Sequence, residues 1–127
     1  MRNALLYAGG SFNFLLALFH LSFWKTLNWA EELPRLSADN GAIMQVSNIV
    51  IIYILLYFSV MSFVITRRTV LGGVAKSIIL CIAGFYSIRL LAGYPFFGFN
   101  VMELAVWIAC LLIIAVYVSV LFIGKQS

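Results

Sequence analysis

Residues 87–104 read SIRLLAGYPFFGFNVMEL. An apolar run gives way to Gly93, Pro95 and Gly98 set among aromatic rings, and a second apolar run follows. Glycine and proline so placed punctuate a helix, so the stretch predicts two apolar helices folded back on each other by a tight aromatic turn. Each arm of that hairpin carries one charge, Arg89 in the first and Glu103 in the second.

The rest of the chain has the same character. Of its 127 residues 65% are hydrophobic and 9% charged, and the mean hydropathy is +1.10. A soluble domain carries about 25% charged residues, so twelve charges cannot clothe a water-facing surface and the composition predicts a membrane protein. Crossing the hydrocarbon core takes about 20 apolar residues. Four stretches reach that length, 4–24, 42–65, 70–93 and 99–123. The expected fold is all-α, an antiparallel bundle of four transmembrane helices forming one domain over 1–127. Although Arg2 precedes an apolar run, ALFHLSFWKT lacks a small-x-small cleavage site, so the first span is expected to stay on the protein.

The loops between spans are short apart from the first. TRRT at 66–69 reads as a basic turn, while KTLNWAEELPRLSADN at 25–40 carries three acids and two bases. Asn28 with Glu31 three residues on resembles a helix cap. Leu33 and Leu36 suit a membrane surface, so a short interfacial helix broken near Pro34 is expected here. An even number of spans puts both termini on the side of the TRRT turn. That side gathers Arg2, Arg67, Arg68, Lys76 and Lys125; the other has Lys25 and Arg35, offset by Glu31, Glu32 and Asp39. By the positive-inside rule the termini are cytoplasmic, in a bacterial inner membrane, and the asymmetry argues against dual-topology insertion. The eight basic residues are scattered between apolar runs, unlike the clustered patch of a nucleic-acid binder, so no nucleic-acid partner is expected.

At about 100° per residue each span shows one polar face. Gly9, Asn13, Ala17, His20 and Trp24 share a face of the first, and Gln45, Asn48, Ile52 and Ser59 of the second. Arg89 aligns with Ile82, Phe85 and Gly93, flanked by Tyr86, and Glu103 with Trp107, Cys110, Ile114 and Tyr117. Polar groups facing lipid tails are costly, so these faces should turn inward. Measured from the supposed turn at 94–98, Arg89 and Glu103 lie level, which makes them each other's expected partners, joined by His20, Gln45 and Asn48. Three readings of the charges remain open: snorkelling to the headgroups, a structural ion pair, and a binding or translocation site. Trp24, Trp29, Tyr94 and Phe96 are expected to anchor at the interface.

No nucleotide-binding glycine motif, HExxH, CxxC or GxSxG occurs. One histidine, and two cysteines inside apolar runs, give no metal-ligand spacing, so neither metal nor cofactor is expected. Haem on His20 alone is conceivable, but bis-histidine ligation within one chain is excluded. FHLSFWKTLNW at 19–29, then NGAIMQVSNI at 40–49, resembles a pattern in small uncharacterised bacterial four-helix integral membrane proteins. The resemblance covers about the first half and implies no activity. The glutamate near the start of helix 1 typical of small multidrug transporters is missing.

The leading expectation is a small integral membrane protein binding a lipid or small amphiphilic molecule in a polar pocket in the extracytoplasmic half of the bundle. Arg89 would meet an anionic group, Glu103 would hold Arg89, His20, Gln45 and Asn48 would supply hydrogen bonds, and Trp107 and Tyr86 would form apolar walls. The alternatives are an accessory subunit of a larger membrane complex and a proton-coupled transporter protomer, oligomeric, using Glu103 and His20. A membrane enzyme comes last.

Overall fold

The structure, a computed structural model, describes residues 1–123; Lys125, counted above in the charge asymmetry, lies outside them. The described residues form six α-helices: α1 (Arg2–Leu21), α2 (Phe23–Thr26), α3 (Trp29–Glu32), α4 (Ala38–Thr66), α5 (Gly73–Phe97) and α6 (Val101–Ile123), with a 3-10 turn at Leu33–Arg35 after α3. Four of them, α1, α4, α5 and α6, are long and apolar enough to cross a membrane. At about 1.5 Å per residue even α1, the shortest, reaches roughly the 30 Å of a hydrocarbon core.

The helix ends differ from the expected spans for identifiable reasons. The first was expected to run on to Trp24, but α1 stops at Leu21. There the Ser22 hydroxyl donates to the Phe19 carbonyl at 2.7 Å, and the Ser22 amide is shared between the carbonyls of Leu18 and Phe19. A serine bonding back in this way competes with the regular ladder. The second was expected from 42, yet α4 begins at Ala38, because Ser37 caps it: the Ser37 Oγ accepts from the Asn40 amide at 3.3 Å. Asp39 in the first turn suits the positive end of the helix dipole.

Residues 87–104 also depart from expectation. They do not turn at Gly93; α5 runs through Pro95 to Phe97. Pro95, two residues before the helix end, has no amide to donate to the Leu91 carbonyl, so α5 gives up one ladder bond in its last turn without ending there. Gly98 makes the stop, its amide donating to the Tyr94 carbonyl at 2.9 Å with φ at +66°, a conformation that favours glycine. At the other end α5 starts at Gly73, three residues later than expected, after an extended Gly72.

In the first loop the short helix and the break at Pro34 are present. The expected cap is not: Asn28 makes no side-chain cap bond and instead takes a left-handed backbone, φ +49°, which asparagine tolerates better than most residues. Arg35 pairs with Glu32 on the surface at 3.0 Å. Trp29, expected at an interface, is buried, with the rings of Phe23 and Trp24 at 6.1 and 5.1 Å.

Contacts divide the chain into two units, residues 1–9 with 61 onward, and residues 10–60. In the first, Leu6, Ile79, Ile82, Tyr117 and Val120 are fully or almost fully buried. Tyr117 shares a 2.6 Å hydrogen bond with Ser62, and its ring lies against Gly9, where a Cβ would come within 2.8 Å. In the second, Ala17, Leu55 and Phe58 are buried together with the polar Asn13, Asn48 and Ser59. Among the described residues every buried side-chain nitrogen and oxygen has a hydrogen-bond partner, as the cost of burying an unpaired polar group requires.

Candidate functional site

Arg89 and Glu103 meet within the first unit. The guanidinium grips the carboxylate with both arms, Nη1 donating to Oε1 at 2.8 Å and Nη2 to Oε2 at 2.9 Å. This is the parallel fork that makes arginine a stronger partner for a carboxylate than lysine. The two residues are not level along the hairpin, contrary to expectation. Arg89 lies two turns before the end of α5, whereas Glu103 is in the first turn of α6; the long arginine side chain covers the offset.

Three further residues build the pair. Gly93, one turn beyond Arg89, is its floor: a Cβ there would overlap Glu103 Oε1 and stand 2.7 Å from Arg89 Nη1 and 2.8 Å from Trp107 Nε1. Trp107, one turn beyond Glu103, donates its indole N–H to Oε1 at 2.9 Å. Asn100 sets the start of α6, its Oδ1 accepting the Glu103 amide at 2.9 Å. Its Nδ2 also donates to the carbonyl of Phe97, the last residue of α5, at 3.2 Å. One asparagine thus joins the two helix ends and fixes Glu103 at the third position of α6.

Burial is unequal. Glu103 is 4% exposed and the Arg89 side chain 34%, so the carboxylate forms the interior and the guanidinium the face. The Phe97 ring lies 5.2 Å from the guanidinium carbon, within cation–π range. Tyr94 and Phe99 stand 6.3 and 6.1 Å from Trp107 and are themselves largely exposed. Arg89 commits two of its five N–H donors to Glu103. The product is a fixed, partly open cation among aromatic rings, able to meet an anionic group. Tyr86, expected as a wall, is buried at 2% exposure, edge-on to Phe85 at 5.4 Å.

The other expected residues form a cluster within the second unit. Asn48 Nδ2 donates to the His20 carbonyl at 3.0 Å, which leaves Asn48 Oδ1 facing His20 Nδ1 at 2.9 Å. With the Asn48 Oδ1 acceptor as its partner, Nδ1 is the donor in this bond. The imidazole packs on Phe23 at 4.4 Å. Gln45 accepts from Trp24 Nε1 at 3.4 Å and donates to the Gly41 carbonyl at 3.3 Å. These bonds tie α1 and the segment after it to the start of α4. Among the described residues no three His, Cys, Asp or Glu side chains gather as a metal site.

Asn100, Phe97 and Phe99 were not expected at the Arg89 site. Asn100 had a signal, Asn followed three residues later by Glu before an apolar run. Gly93 was expected on the Arg89 face and at the turn, but not as the floor of the pair. No protein-family model, curated protein or solved structure matches the chain.

Proposed function

We propose that this chain is a small integral membrane protein that binds a lipid or small amphiphile through Arg89. The four long helices would cross a bacterial cytoplasmic membrane as an antiparallel bundle, with the termini and the 66–69 turn on the cytoplasmic side. Arg89 would then lie in the extracytoplasmic half, where its guanidinium receives a phosphate or carboxylate. Glu103, Trp107 and Gly93 hold the fork in place, and Phe97, Tyr94 and Phe99 flank the apolar part of the ligand. The observation that carries this reading is the inequality of the pair: a buried carboxylate orients a guanidinium one third exposed, with three N–H donors beyond those given to Glu103. An ion pair that only locked two helices would gain nothing from an open cationic face. His20, Asn48 and Gln45, bonded among α1, α4 and the segment between them, act in this reading as polar ties between helices, each worth about 1 kcal/mol or less.

Native mass spectrometry of protein extracted in mild detergent tests it. A retained amphiphile is expected, released in Arg89→Gln and weakened in Arg89→Lys, which keeps the charge but loses the fork. Retention indifferent to both substitutions would contradict the proposal. A second reading, docking as an accessory subunit on a larger membrane protein, is favoured by the apolar apron at the α5–α6 turn, where Phe96, Val101 and Met102 are 82, 83 and 75% exposed. It predicts a stoichiometric partner after mild solubilisation.

A further inference from the structure

The first unit has a second feature, at the end opposite the Arg89 site. Where α4 ends and α5 begins, a half-open groove of about 280 Å³ is walled by Met61, Val64, Ile65, Val74 and Ile78, with Arg68 in its lining. Pockets for whole small molecules begin at about 300 Å³, so this one suits a segment of apolar chain continuing outside it. Arg2 holds the turn beside it, its guanidinium donating to the backbone carbonyls of Arg68 and, at 3.0 Å, of Thr69. Both acceptors are neutral, so the Arg2 charge is not cancelled there. Arg67, Arg68 and Lys76 add three more positive charges around the same turn. The only Asp or Glu in this unit is Glu103, already engaged by Arg89. One cation, Arg68, thus lines the apolar groove, Arg2 is bonded to the turn beside it, and Arg67 and Lys76 flank the same turn in the sequence; no side-chain carboxylate of their own unit answers them.

We infer that this groove binds an anionic phospholipid, with part of an acyl chain between α4 and α5 and the phosphate at Arg68. The inference rests on the membrane insertion proposed above but not on the Arg89 site. Charge complementarity selects the headgroup, because basic residues at a membrane surface attract anionic lipid. The apolar walls select a lipid over free phosphate. Gly72, in the lining, offers a means of filling the groove: its backbone (φ −68°, ψ 170°) is open to any residue, and a Cβ there meets nothing within 4 Å.

The test is native mass spectrometry of the full chain after equilibration with equal phosphatidylglycerol and phosphatidylcholine of matched chains. Wild type is expected to retain phosphatidylglycerol preferentially. Arg68→Gln should lower that preference about fivefold, the effect of one basic residue at a membrane surface. Gly72→Leu should displace the lipid while leaving the helical circular dichroism of the protein unchanged. Arg89→Gln should leave this adduct in place, which separates the groove from the proposed amphiphile site. Equal retention of the two lipids, a preference unmoved by Arg68→Gln and Gly72→Leu, loss of the adduct in Arg89→Gln, or displacement by millimolar inorganic phosphate would each overturn the inference.

Discussion

Gly93 and Glu103 share a space that one methyl group would fill: a Cβ on Gly93 would overlap the carboxylate oxygen that receives both Arg89 Nη1 and Trp107 Nε1. A Gly93→Ala variant must therefore push Glu103 away from both donors. Breaking a buried pair costs about 3 to 5 kcal/mol, and the partial exposure of Arg89 places the expected loss near 3. Gly84→Ala in the same helix is the control. No atom lies within 4 Å of its Cβ, and alanine is favoured over glycine in a helix by about 0.5 to 1 kcal/mol. Thermal unfolding in detergent should show a large drop for the first and none for the second.

The inequality of burial sets an order among the charge variants. Arg89→Leu strands Glu103 at 4% exposure, whereas Glu103→Leu leaves a guanidinium one third exposed that can reach toward polar surroundings. Arg89→Leu is expected to destabilise by about 3 to 5 kcal/mol and Glu103→Leu by less, with the double variant costing less than the sum. Additive effects in the same assay would show that the two charges are satisfied separately.

Asn100 and Asn28 make a matched pair for substitution. Asn100→Ala removes the Glu103 amide acceptor and the donor to Phe97, for an expected loss of about 1 kcal/mol or somewhat more. At Asn28 the backbone is left-handed and the side chain caps nothing, so Asn28→Gly should be tolerated and Asn28→Ala should cost about 1 kcal/mol. Melting temperatures of the three variants check both roles.

Orientation is tested by labelling. In a background with Cys81 and Cys110 replaced, a cysteine in place of Ala38 should react with an impermeant thiol reagent in intact cells, and one in place of Thr69 should not. The reverse pattern would invert the proposed topology.

The four long helices were legible because length and hydropathy alone decide them, and the Arg89–Glu103 pair because two charges in apolar arms have few other partners. Their ends were less legible, since ends are set by single caps. Asn28–Glu31 and Asn100–Glu103 have the same spacing in the sequence, and only the second caps, because only there does the asparagine oxygen face the helix amides. Gly93 could be placed on the Arg89 face but not read as the floor of the site: a glycine two residues before a proline looks like a turn, and its role depends on what α6 brings across. Within its own unit Gln45 bonds to Trp24 and to the carbonyl of Gly41, one turn away on the same helix, partners that the polar face alone did not indicate.

Photo-crosslinking tests the amphiphile site most directly. With a diazirine-bearing dodecyl phosphate and the protein in lipid nanodiscs, labels are expected on α5 and α6 between Tyr94 and Trp107. They should be suppressed by excess unlabelled dodecyl phosphate and lost in Arg89→Gln. Labelling spread evenly over all four long helices, or unchanged in Arg89→Gln, would contradict the account.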